Sequence, residues 1–175
     1  MKRFFLATLS MMLVLSIFFA SRSVSTASAD ESKVLEFNTM VGVPRLYTRN
    51  NGNAIRSIDG GGLPWVIQFG KGKLSPDGQV DVLVKGLVFD PNDQGAIDAG
   101  VAGRNTVPNF KVIVSCLSKD ENGNALTSNV STSLFPADEA GNAHIKDSVS
   151  LPDPCIAPIV FVTSPTGLWF ASTGF

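Results

Sequence analysis

The stretch Trp65-Val66-Ile67-Gln68-Phe69-Gly70-Lys71-Gly72-Lys73-Leu74-Ser75-Pro76-Asp77-Gly78-Gln79-Val80-Asp81-Val82-Leu83-Val84-Lys85 decides the fold class. Trp65, Ile67 and Phe69 share one parity, and Val80, Val82 and Val84 share one parity of the next run. Ser75-Pro76-Asp77-Gly78 supplies turn chemistry between them. An apolar period of two marks strands with one buried face, so this is a β-hairpin with Trp65 pointing inward. Gly86 then interrupts the chain before Leu87-Val88-Phe89, the place for a bulge or a bend that changes sheets.

The same period continues on both sides. Upstream, Leu35, Phe37, Thr39, Val41 and Val43 alternate with polar or small residues, which predicts one half-buried strand ended by Pro44. Asn50-Asn51-Gly52-Asn53 reads as a turn, and Asp59-Gly60-Gly61-Gly62 as a loop. Downstream, Asp90-Pro91-Asn92-Asp93 offers an N-cap, a proline at the first helical position and an acid in the first turn, so a short helix is expected over 91–99. Phe110, Val112, Val114 and Cys116 resume the alternation. Asp120-Glu121-Asn122-Gly123-Asn124 turns the chain into the run of Leu126, Val130 and Leu134, and Asp138-Glu139-Ala140-Gly141-Asn142 turns it again. Ala143, Ile145, Val149 and Leu151 follow with Asp147 on their side, and His144, Lys146, Ser148 and Ser150 opposite. Two last runs, 156–163 and 167–173, flank Ser164-Pro165-Thr166. Strands at this spacing, joined by Gly/Asn/Asp turns, predict an all-β, antiparallel two-sheet sandwich of Ig-like or jelly-roll type with one short helix in a connection; a closed barrel is the runner-up.

The N-terminus sets the compartment. Lys2-Arg3, an apolar run over 4–20, and Ala27-Ser28-Ala29 ahead of Asp30-Glu31 have the three-part pattern of a secretory signal peptide over 1–29, leaving 30–175 as one β-sandwich domain. The apolar run sits at the lower limit for spanning hydrocarbon, so no stable membrane anchor is expected after cleavage. The mature part carries eleven Lys and Arg against fifteen Asp and Glu, a formal charge of −4. That balance, without a basic cluster in the sequence, argues against nucleic acid as a partner. Cys116 and Cys155, the only cysteines, lie in the exported part and are expected to form one structural disulfide between strands distant in sequence, which can tie the two sheets together.

Chemistry is sparse. His144 is the only histidine, which leaves little for a zinc or copper site, and the alternation places it on a polar face. Asp147 has the parity of the core, so it is expected to pair with a cation, accept backbone N–H groups or sit at a bulge. The acidic turns at 120–124 and 90–93 supply oxygen donors but read more simply as turn chemistry than as calcium loops. Gly60-Gly61-Gly62 and Gly70-Lys71-Gly72-Lys73 do not fit a phosphate loop and read as flexible connections. Asn129-Val130-Ser131 is a glycosylation sequon if the source is eukaryotic. No cofactor or metal is expected. The aromatic candidates for a ligand are Tyr47 and Trp169: Trp169 shares parity with Ala171 and Thr173 and is the better candidate for exposure, and the two rings would form a stacking platform for sugars.

The C-terminal stretch Leu151-Pro152-Asp153-Pro154-Cys155-Ile156-Ala157-Pro158-Ile159-Val160-Phe161-Val162, with Trp169-Phe170-Ala171, resembles the tail of small secreted bacterial β-sandwich proteins that carry no assigned activity. The resemblance covers about the last third of the chain and implies a source rather than a mechanism. The expected role is a secreted, non-enzymatic binding or structural module of the extracellular space or cell surface, with an extracellular protein or a polysaccharide as partner. The alternatives are a carbohydrate-binding module working through exposed aromatics and a hydrolase working with two carboxylates, Asp147 and Asp81.

Overall fold

A computed structural model describes residues 33–173, and the expected signal peptide lies outside the described residues. The fold is an antiparallel β-sandwich. With strands numbered in chain order, the first sheet runs β1 (Leu35–Phe37), β4 (Phe69–Leu74), β5 (Gln79–Lys85), β10 (Ala143–Ser148). The second runs β2 (Val41–Gly42), β12 (Trp169–Ser172), β11 (Ile156–Thr163), β7 (Asn109–Lys119), β8 (Ala125–Ser131), with β9 (Phe135–Pro136) also on β7. A two-stranded ribbon joins β3 (Trp65–Val66) to β6 (Val88–Phe89). The inward rows of Leu74, Val80, Val82, Val84 and Ile145 meet Val112, Val114, Cys116, Val160 and Val162, all buried, in one continuous core.

The central hairpin forms as β4 and β5, with Leu74 paired to Val80. Its turn is one of four of the same construction. Ser75, Asp120, Asp138 and Ser164 each accept through the carbonyl from the N–H of the glycine three residues on, and each N–H bonds the carbonyl four residues on. Gly78, Gly123, Gly141 and Gly167 hold φ between 75° and 93°, a region closed to most side chains.

Parity fails where strands break. Trp65 belongs to β3, so its phase is not that of β4: Trp65 is buried and stacks on Phe170 at 3.9 Å, whereas Phe69 is 40% exposed on the opposite side from the expected one. The run 35–43 is two short strands in different sheets, and Met40, at the crossing, turns inward in place of Val41. Gly70-Lys71-Gly72-Lys73 is not a flexible connection but the middle of β4. Its lysines point out and its glycines point in, because the space a Cβ would need is filled: at Gly70 by Met40 at 2.8 Å, at Gly72 by the Asp81 carbonyl at 2.6 Å and Phe37 at 2.8 Å. The helix (α1, Gln94–Asp98) starts later than expected, because Asp93 and not Asp90 caps it by accepting from the Ala96 N–H. Asp90 instead caps the turn before it, accepting from the Asn92 N–H.

Cys116 and Cys155 are bonded. The bridge does not cross the sandwich: it joins β7 to the start of the neighbouring β11, beside the Leu117–Ile156 pair of the same sheet.

The outer face of the second sheet carries a third layer. Ile113, Ser115, Phe161 and Thr163 alternate outward from the core yet are buried. A strap over residues 44–62, with two 3-10 turns (Arg45–Tyr47 and Arg49–Asn51), lies on them. Arg56 donates to the Ser115 carbonyl at 2.8 Å, Asp59 accepts from the Trp169 N–H, and the Trp169 carbonyl accepts from the Gly61 N–H. Ile58, within the strap, is buried. Gly60 is required there, since a Cβ would stand 2.1 Å from the Tyr47 carbonyl oxygen.

Candidate functional site

The strap covers the middle of the second sheet's outer face, whereas the outer face of the first sheet is open across all four strands. One register row crosses all four strands as Glu36, Lys73, Asp81, Lys146, alternating in sign. The next row aligns Lys71, Leu83 and His144, and the one after pairs Phe69 with Lys85. Asp81 sits at the centre, with His144 Nε2 at 2.8 Å from Oδ1 and Lys146 Nζ at 3.9 Å from Oδ2. Lys33 donates to Glu36 at 2.7 Å, and this bond holds the Glu36 carboxyl below its ordinary range, with the charge of Lys73 adding in the same direction. Such exposed pairs contribute little to stability, and they fix where the charges stand.

The face is cationic on an acidic molecule. Lys33, Lys71, Lys73, Lys85 and Lys146 stand against Glu36, Asp77 and Asp81, a formal +2; the other described residues carry six cations against ten carboxylates, a formal −4. Asp77, in the turn, closes one end of the face. Two shallow hollows of about 270 Å³ flank the Lys73–Asp81 pair, one walled by Glu36, Asn38, Lys71 and Leu83, the other by Ser75, Asp77, Gln79 and Lys146. Beside them Phe69 presents an exposed ring, with Lys71 Nζ 5.9 Å from its centroid and Lys85 across the strand pair.

The residues singled out from the sequence are placed differently. Trp169 is fully buried and not exposed, because a register shift in β12 turns it under the strap, where it meets Phe161 and Tyr47. Tyr47 is half-buried, with its ring centroid 6.2 Å from that of Trp169 and tilted 59°. The two rings do come together, but inside, so they make no platform for a sugar. His144 is exposed as expected, and its partner Asp81 comes from a strand 63 residues away. Asp147 and Asp81 project from opposite faces of the first sheet, since Asp81 pairs with Lys146 and Asp147 with Val80. They share no cleft in which two carboxylates could act on one bond.

Asp147 satisfies its inward parity with backbone donors: Oδ2 accepts from the Ser133 N–H at 2.8 Å and Oδ1 from the Ser148 N–H at 2.9 Å. Asp120 and Asp138 commit their carboxylates to the turns they begin, on Asn124 and Asn142 respectively, and all three are held below the ordinary carboxylate range by these bonds. Asn129 of the sequon is exposed and its amide donates to the Arg56 carbonyl. A larger hollow, about 490 Å³, lies between β2, β3 and the segment before α1. Among its charged groups Arg45 bonds Asp93, which also caps the helix, and Asp90 accepts from the Asn92 N–H; the first bond ties the strap to the helix. Among the described residues, no group of three or more His, Cys, Asp or Glu could hold a metal ion, and no helix is long and apolar enough to cross a membrane.

Compared with protein-family models, with curated proteins and with solved structures, the chain matches none of them.

Proposed function

We propose that this is a secreted, non-enzymatic binding module that recognises an acidic polysaccharide of the extracellular space through the outer face of its first sheet. The observation that carries the reading is the exposed Phe69 ring set between Lys71 and Lys85 on a cationic face of a chain whose described residues are net acidic. An apolar ring suits the flat side of a pyranose, and flanking ammonium groups suit its carboxylates. Asp81 and His144 add hydrogen-bonding groups beside two shallow hollows, a shape fitted to an extended chain more than to an enclosed small molecule. The leader pattern, the disulfide and the likeness of the C-terminal stretch to small secreted bacterial proteins support the compartment.

The test is retention on an immobilised polyuronate, with a neutral glucan as the control. The chain should bind the first, elute as salt rises, and ignore the second. Reversing charge in the double variant K71E/K85E should weaken binding by more than about tenfold, roughly 1.4 kcal/mol, while the circular dichroism is unchanged. Equal retention of the double variant and the wild type, or no retention of either, would remove this reading.

A further inference from the structure

β8, the outermost strand of the second sheet, is a seven-residue edge, Ala125-Leu126-Thr127-Ser128-Asn129-Val130-Ser131. Sheet edges present unpaired backbone groups, and proteins blunt them with short strands, charges or prolines. The other edges here are blunted. β1 has three residues and carries Glu36, and β2 has two. β10 carries His144 and Lys146 outward and the inward-pointing Asp147, which captures the Ser133 N–H. β8 has no charge and no proline over its whole length. Its register with β7 is regular from Ala125 to Ser131, without a bulge.

The phase of the ladder tells which groups face outward. Asp120 N–H bonds the Asn124 carbonyl and Thr132 N–H bonds the Val112 carbonyl, so at both ends the even-numbered residues of this segment carry the bonds to β7. In an antiparallel pair such positions alternate, which leaves the N–H and C=O groups of Ala125, Thr127, Asn129 and Ser131 aimed at the free edge. All four residues are exposed.

We infer that this edge pairs two copies of the chain, β8 against β8 in antiparallel register about a two-fold axis at Ser128. That register is self-complementary, as a two-fold interface requires. Thr127 meets Asn129 of the second copy and Ala125 meets its Ser131, each pair at an outward-bonding position. Leu126 meets its Val130 at the closer, non-bonded position, which gives the 48% exposed Leu126 an apolar neighbour. The two second sheets become one continuous sheet. The cationic faces belong to the other sheet of each copy and stay open, so a dimer would present two of them to one polymer.

Sedimentation of the secreted chain over a dilution series, from millimolar to micromolar, tests the inference. The mass should move from dimer to monomer on dilution, and amide exchange at Thr127 and Asn129 should slow as concentration rises. Thr127→Pro removes an edge-facing N–H while leaving the bonds to β7, so it should fold normally and weaken the dimer by more than about tenfold. Leu126→Lys places a charge on the edge and should do the same, which keeps the test intact if the proline variant fails to fold. A monomer at every concentration would overturn the inference. So would a dimer that survives Leu126→Lys with exchange at Thr127 and Asn129 independent of concentration, since its interface would lie elsewhere.

Discussion

Asp147 shows how a residue that offends the alternation is accommodated. The pattern of β10 points it at the core, and the backbone N–H groups of Ser133 and Ser148 stand in for the water it loses. These bonds, Ser133 first, hold its carboxyl below the ordinary value of 3.8 against a smaller opposing effect of desolvation. A carboxyl depressed in the folded state contributes stability that is fully present above its unfolded value and is lost as the pH falls through the folded one. Asp147→Asn should therefore destabilise the fold at neutral pH by up to about 1 kcal/mol, since an amide oxygen replaces only part of a charged acceptor and solvent screens this edge position. The difference from wild type should shrink below about pH 3.8, which urea melts at the two pH values would check. A variant as stable as wild type at neutral pH would refute the assignment. The unusual character of this residue was legible from parity alone, and one of the three expected solutions is the one found. The pairing of His144 with Asp81 was not legible, because it depends on the register of two strands far apart in the chain. Trp169 and Phe69 were misplaced for a related reason: parity counts residues along one unbroken strand, and β12 shifts register while the chain breaks between β3 and β4.

At the scale of elements, turn chemistry was the surest guide, since Ser or Asp followed three residues later by Gly gives the same closed turn at all four sites. The lysine row was hidden by the glycines beside it. Gly70 and Gly72 suggested a loop because a strand interior rarely omits side chains, yet the missing volume is supplied by Met40 and Phe37 from a segment that no local pattern connects to β4. The disulfide was legible in its pairing and not in its position, which depends on β11 lying next to β7. The two cysteines are separated by 39 residues, and a loop of that length constrains the unfolded chain by roughly 4 kcal/mol in the entropy model. The double variant C116S/C155S should lose stability of about that size with its strand content retained, as read by guanidinium melts and far-ultraviolet dichroism. A loss under about 1 kcal/mol would mean that the bridge restricts the unfolded chain far less than the entropy model holds.

For the whole molecule, the division of labour follows from which faces are covered. The strap covers the middle of one outer face and uses the aromatic residues that had suggested recognition, so the opposite outer face keeps Lys71, Lys73, Lys85 and Lys146 and the exposed Phe69 ring. The sandwich class was readable from the count and spacing of strands. The third layer was not, because residues 44–62 have no period and are ordered by bonds to Trp169 and Ser115 and by an internal bridge between Thr48 and Gly60 rather than by a strand pattern of their own. The two tryptophans consequently occupy separate compartments, Trp65 between the sheets and Trp169 beneath the strap. That separation turns the indoles into independent optical gauges. In the single-tryptophan variants Trp65→Phe and Trp169→Phe, the remaining emission should redden at different denaturant concentrations, the strap-side gauge first, because peeling the strap exposes Trp169 without parting the sheets. Coincident transitions would instead mean that the strap and the sandwich melt as a single cooperative body.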